Sequence, residues 1–435
     1  MRLTRSQFVA VSSCLFIACA PAAAARRPRY GGRLRIETSA VVTSLDPAVA
    51  QPGSFDLATK RRILGSVFET LVRLDEKGEP QPWLAASWTH DPTRHRWLFA
   101  ARPDVTLHNG AKWDPPGGVV AVDDRRPIED ILRGLANPQN AIVVRGPDGV
   151  LLGTGPFRIA EWRPGQALRL EANDSYWGGR PYLDAVEIRM GRAKRDQSID
   201  LDAGRADVVE VAASEVRRVQ QRGGRVVLSA PVEVLALVLD AAPPGLERAL
   251  LLAVDRAAIY NVLLQRTGVI SGALLPNWLT GYSFVFPANM DIARARELAG
   301  KQAVTFQYDQ QDPMIRSIAE RVALNAGEAG VTLRPVAGGP AAVRLVHARL
   351  STAEPGPALV EIAAAFDGQA PRVSSADPAQ LYAAESGVIA SRRIIPLFHL
   401  PAAVQIGANV RGWPSRNAGI DRWPLDEAWV EDRAR

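Results

Sequence analysis

The sequence predicts an exported protein of mixed α/β layers organised as more than one domain. Three observations carry that expectation. The chain opens with Arg2 and Arg5, runs through an uncharged stretch from Phe8 to Ala25 rich in Ala, Val, Leu and Ile, and then meets Arg26 and Arg27. A basic end followed by an apolar stretch is the signature of a secretory signal. Between Val304 and Val336 a strand, a helix and a strand follow one another, and a crossover of that kind makes a parallel sheet. Finally, 435 residues with 47% hydrophobic content are more than one core usually organises, which points to two or three domains.

Ala22 and Ala24 suit the narrow pockets of a signal peptidase, so residues 1–25 are expected to be the signal, with cleavage after Ala24 or Ala25. Cys19 follows Phe16-Ile17-Ala18, a near lipid-attachment box with Phe where Leu is usual, so the expected location is periplasmic, either free or anchored through Cys19. Both cysteines, Cys14 and Cys19, fall inside the signal, which leaves the mature core to stand on burial without disulfides. No later segment supplies the about 20 apolar residues a membrane span requires. The 52 basic residues against 46 acidic ones are scattered without a dense run, which argues against a nucleic-acid partner.

Leu34-Arg35-Ile36-Glu37 alternates as a strand, entered through Gly31-Gly32. Ile63, Val67 and Leu71, with Leu64, Phe68 and Val72, recur at helical spacing and predict a helix over about residues 56–73. Strand-like patterns follow at 97–100 and 105–108, and then Pro115-Pro116-Gly117-Gly118, which continues neither element. Phe157 and Ile159, then Leu168 and Leu170, alternate on either side of Pro164-Gly165, a hairpin. Residues 247–265 read as one long helix. In the clearest unit, Asp312-Pro313 starts a helix that turns Ile315, Ile318 and Val322 inward, and Gly330 ends it before Val331-Thr332-Leu333.

Several stretches, in order along the chain, resemble the peptide and nickel-binding class of ABC-importer solute-binding proteins, family 5, which includes the dipeptide and oligopeptide receptors. They are GSVFETLVRLDEKGEPQPWLAASW from Gly65 to Trp88, FAARPDVTLHNG from Phe99 to Gly110, and GTGPFRIAEWRPGQALRLEANDSYWGG from Gly153 to Gly179, with weaker echoes at Arg248–Ile259 and Ile395-Pro396-Leu397. The resemblance implies a two-lobed periplasmic-binding-protein-like fold, class II or cluster C, with an extra domain. Lobe one would take 26–57, 152–232 and 395–435; the extra domain 58–151; lobe two 233–394. The stretch from Trp113 to Asp130 lacks most of the helices that usually follow the second motif, so the extra domain is expected to be reduced.

In the family's peptide receptors a lobe-two carboxylate pairs with the peptide ammonium. Here the matching segment is Leu350-Ser351-Thr352-Ala353-Glu354-Pro355, with Ser351 at the carboxylate's place and Glu354 as a substitute. The other ligand-binding candidates are Thr38, Ser39 and Ala40 after the first strand, Trp278 and Tyr282 in lobe two, and Phe398, His399 and Trp413 near the end. Aromatic faces offer large contact area at small entropy cost. Trp83, Leu84, Trp88 and Trp97 read as packing residues.

No G-x-S-x-G, H-E-x-x-H or G-x-x-x-x-G-K pattern occurs, so no catalytic residue, metal ligand or cofactor is expected. The sequence therefore points to a monomeric, non-enzymatic receptor that captures a peptide-like or other small organic solute and passes it to an ABC permease. The competing expectation is an envelope sensor or scaffold that kept the fold and lost transport.

Overall fold

A computed structural model describes residues 27–431, apart from 76–77, 148, 241, 284–289, 367–370, 372–376, 415 and 418–421. The expected signal and both cysteines lie outside the described residues. One 12-stranded sheet runs through the molecule. From one edge its main path is Val331–Val336, Gln302–Gln307, Val343–Arg349, Arg225–Leu239, Ile394–Ile406, Val208–Val211, Arg33–Glu37, Ala185–Arg189, Ala167–Ala172 and Phe157–Arg163.

Two members of this path are long enough to belong to both halves. Strand Arg225–Leu239 pairs antiparallel with Ile394–Ile406 along its length, but the register slips between Leu228 and Pro231 and again between Pro231 and Glu233. Pro231 faces Pro401 at the slip. Neither proline has an N–H to give to a ladder, so the sheet is weakest where the halves meet. Beyond the slip, Leu235, Leu237 and Leu239 join Phe306, Ile315, Ile318 and Val322 in one core. Val234, Ala236 and Val238 face the other way, into a second core with Leu359, Ile362 and Phe366. On the near side, Leu34, Ile36, Leu168, Leu170, Val186 and Ile188 form the core of the other half. The result is two lobes of mixed α/β structure.

The crossover between Gln302–Gln307 and Val331–Val336 is parallel, as its spacing predicts. Asp312 caps the helix Pro313–Glu328 by accepting from the amides of Met314 and Ile315. Gly330 turns the chain at a φ of 89°, a region glycine enters without strain. Three other expectations need correction. The first helix is Ser54–Val67, and Phe68 is already extended. The helix over 247–265 is broken: Leu246–Ala253 stops at Val254, and Asp255 starts a new piece by accepting from Ala258 N. Residues 105–108 form no strand beyond the isolated bridge Thr106–Lys112.

The early end of the first helix has a physical reason. It lets Glu69, 4% exposed, turn inward, where its carboxylate accepts from Thr154 Oγ1 at 2.7 Å, Tyr176 Oη at 2.7 Å and Trp177 Nε1 at 2.9 Å. Two of the quoted motifs thus meet at one buried group. Gly153 and Gly155 are small because a Cβ there would lie 2.3 Å and 2.6 Å from Val67 O. His108 closes the knot: Gly153 N donates to Nδ1, and Nε2 lies 3.2 Å from Gly155 O. That pairing suits a neutral ring with its proton on Nε2. Around the knot a small unit carries the three-stranded sheet Ala85–Asp91, Arg96–Ala101 and Val119–Asp123 and the helix Ile128–Leu135, with Phe99, Val105, Trp113 and Leu132 as its core.

Candidate functional site in the interlobe cleft

The ladder directions decide where the two lobes face each other. Strand Arg33–Glu37 is parallel to Ala185–Arg189 and to Val208–Val211, and all three run toward the crossing. In the other lobe Val343–Arg349 is antiparallel to the outgoing strand and parallel to Gln302–Gln307, so these also end at the crossing. Carboxyl ends of strands from both lobes therefore converge on one crevice, where open α/β sheets place their ligands.

The crevice is lined with charge. From lobe one, Glu210 accepts from Ser39 N at 2.8 Å, Ser39 Oγ at 2.6 Å and Thr38 Oγ1 at 3.0 Å. From lobe two, Glu233 Oε2 lies 3.0 Å from His347 Nε2, and Phe55 meets the His347 ring edge-on at 4.8 Å. Burial opposes ionisation of Glu210, but the Ser39 hydroxyl and amide with Lys194 and Arg349 outweigh it and hold the carboxyl below its usual range. Burial likewise opposes the charge on Glu233, which His347, Arg349 and Lys194 stabilise. Lys194, the first residue of helix Lys194–Asp202, reaches across to Asp312 Oδ2 at 3.2 Å. A second bridge links Arg349 N to Ser54 Oγ at 3.0 Å.

A third contact lies at the side of the crevice. Arg61, 2% exposed, donates from Nη1 to Ser351 Oγ at 2.7 Å, and its Nη2 lies 2.7 Å from Gln139 Oε1 and 2.6 Å from Glu361 Oε1. The first helix, the small unit and lobe two are pinned together there. Ser351 is thus a link between elements, and the carboxylate beside it, Glu361, is already paired. Glu354 accepts from Asn137 Nδ2 at 3.5 Å, and burial pushes its carboxyl up.

The remaining expected ligand residues separate. Ser39 is exposed beside Glu210, whereas Thr38, which also donates to Glu210, and Ala40 are both buried. Trp278 is 43% exposed and donates its indole N–H to Pro231 O at 2.7 Å, beside the crossing. Tyr282 instead donates to Glu385 Oε2 at 2.7 Å within the lobe-two interior. Phe398, His399 and Trp413 are packing residues, contrary to the expectation. Phe398 is fully buried with Leu235 and Leu397: the register shift between Leu235 and Ala236 puts neighbouring residues on one core face. His399 is 4% exposed, and burial pushes its pKa down to about 4. Trp413 packs beside Trp423 and Leu425 in lobe one.

With that geometry in place, comparison with known proteins is decisive. The family described as bacterial extracellular solute-binding proteins, family 5 Middle, matches residues 121–338. The chain belongs to this family. Among curated relatives, the oligopeptide-binding protein AppA of Bacillus subtilis is 27% identical over 149 residues, 33% of this chain and 27% of that protein. The nickel-binding periplasmic protein of Escherichia coli is 23% identical over 294 residues, 55% of this chain and 56% of that one. The chain thus spans little over a quarter of the first relative's length and just over half of the second's. The periplasmic binding protein DppA of Helicobacter pylori, solved with the peptide STSA, superposes with a TM-score of 0.74 at 18% identity over 93% of this chain and 99% of that one. At that identity the match shows the fold alone.

The charged residues that fill the crevice of this family 5 protein were missed by motif reading. A periodic signal was nonetheless present. Leu235, Leu237 and Leu239 face one core, and Glu233 continues their phase; Val343 and Leu345 face the same core, and His347 and Arg349 continue theirs. Polar residues on the apolar phase at the end of a strand mark the point where the core gives way to a site. Lys194 and Asp312 carried no comparable mark, because they meet only through tertiary structure. Among the described residues, no group of three or more His, Cys, Asp or Glu side chains is placed to hold a metal ion, and no helix is long and apolar enough to cross a membrane.

Proposed function

We propose that this family 5 protein is the extracytoplasmic receptor of an ABC importer, which captures a peptide-like or other small organic solute between its lobes and delivers it to a membrane permease. The observation that carries the reading is the convergence of strand ends from both lobes on a charged crevice, with the two lobes sharing two long strands whose ladder slips at Pro231 and Pro401. A joint of this kind permits rigid-body closure, and closure creates the surface a permease can read. The lobe division follows: lobe one ends its outgoing strand near Ser229, and the return crossing is at Pro401-Ala402. That is later than residue 395, because Ile394–Leu400 is still laddered to Glu233–Val238.

The chemistry is binding alone. Each charged group in the crevice is engaged by neighbours or directed at an opposite charge, and the two buried histidines outside it, His108 and His399, are held neutral by burial. The molecule acts as a monomer, exported to the periplasm. Native mass spectrometry of protein purified without denaturation tests the reading. A small organic molecule retained at one per chain, lost on mild unfolding, is expected. A bare polypeptide mass, together with failure of every solute offered to it to bind, contradicts the reading.

A further inference from the structure

Resting on the receptor reading, we propose that Arg349 is the recognition residue for a carboxylate group of the solute, which docks against the Nε–Nη2 edge of its guanidinium. Arg349 ends strand Val343–Arg349 at the floor of the crevice, and its side chain is 5% exposed. A buried arginine normally spends its donors on neighbours, because an unpaired buried charge is costly. Here neither Nε nor Nη2 has a hydrogen-bond partner among the described residues. The nearest carboxylate, Glu233 Oε1, lies 3.9 Å from Nη1, beyond hydrogen-bond reach and on the other side of the fork.

The surrounding groups explain why the missing partner is an anion. The acidic residues facing this space are already engaged: Glu210 by Thr38 and Ser39, Glu233 by His347, and Asp312 by Lys194 and two helix amides. The donors left over belong to a cation. The two atoms are adjacent and coplanar, which matches the two oxygens of a carboxylate in a parallel bidentate pair. The backbone is also fixed in place, since Arg349 N donates to Ser54 Oγ across the crevice. The site is thus pre-organised, and binding a carboxylate removes the cost that the free protein carries.

The experiment uses the full chain and its Arg349→Met and Arg349→Lys variants, with thermal shift and titration calorimetry against a panel of small organic acids and di- to tetrapeptides. Each is offered as the free acid and as the matched carboxamide. The expected result has two parts. At least one free acid binds the wild type while its carboxamide binds about 30-fold more weakly or worse, and Arg349→Met loses the free acid by a similar factor. Arg349→Lys, which keeps charge but not the fork, falls between. Without solute, Arg349→Met changes the melting temperature little, because loss of the two unpaired donors offsets loss of the support Arg349 lends to Glu210 and Glu233; a purely structural arginine would instead lose stability clearly.

Acid and amide binding alike, or an acid whose affinity survives in Arg349→Met, would overturn the carboxylate assignment and leave the receptor reading standing. A lower melting point of solute-free Arg349→Met, with acid affinity retained, would also overturn it. No binding of any acid or amide to the wild type would overturn both.

Discussion

Two buried ionisable groups in this molecule sit in opposite circumstances. Glu69 is surrounded by donors from Thr154, Tyr176 and Trp177, which lie 85 to 108 residues further along the chain. Arg349, as deeply buried, keeps two donors unspent among the described residues. Both would cost several kcal/mol if left alone in an apolar interior. The fold offsets that cost at Glu69 and leaves it standing at Arg349. A buried group with all its partners holds the architecture together, whereas one without them between two lobes is, in the proposal made above, capacity for a solute.

The sharpest way to break this contrast is at Glu69. Glu69→Ala strands three buried donors, each costing about 1–3 kcal/mol, so a loss of about 4 kcal/mol or more is expected in denaturant unfolding. A loss below about 1 kcal/mol would mean that the knot is decorative and that the contrast with Arg349 is empty.

A smaller effect comes from pH. Burial, against a weaker opposing pull from Gly155 O, lowers the His108 pKa to about 4, and burial lowers that of His399 to about 4. Both rings are neutral in the fold, while in the unfolded chain they take up protons near pH 6.5. Stability is therefore full above about pH 6.5 and is lost progressively as pH falls toward 4, where the unfolded state binds more protons. Unfolding curves at pH 7 and pH 5 should show this decline, with a shallower slope in His108→Gln. A flat profile would show that these rings are solvated.

The smallest effect is expected at the bridge between the lobes. Lys194 is one-third exposed, so Lys194→Met should change global stability by less than about 1 kcal/mol. It should nevertheless shift the balance of open and closed forms, because it removes a contact made only when the lobes meet. If it unfolds the protein, the lobes are one rigid body.

Much of the fold was readable because its signals are local. Asp312-Pro313 and Gly330 bracket a helix by capping chemistry that acts within a few residues, and Pro164-Gly165 dictates a hairpin. The broken helix at Val254-Asp255 was readable in principle, since Asp255 is an N-cap signal, but an apolar face continued past it. The site was harder. Thr38 and Ser39 stand out in the sequence because they follow the first strand. Aromatic chemistry suits both a site and a core, and only tertiary structure tells them apart: the register shift in the central ladder for Phe398, and packing beside Trp423 and Leu425 for Trp413. Lys194, Asp312, Glu210 and Arg349 come from four separate elements, and no spacing along the chain announces their meeting.

The central claim is that two lobes move about the slipped ladder and close over a solute. Both native cysteines, Cys14 and Cys19, precede residue 20, so spin labels can be placed at Ile199→Cys and Leu324→Cys, exposed by 49% and 55% on helices of opposite lobes. Pulsed dipolar distance measurement is then made on protein stripped of solute and on protein given the acid that binds best. A broad distribution that narrows to a shorter distance with solute is predicted. One sharp distance, the same in both samples, would contradict the account.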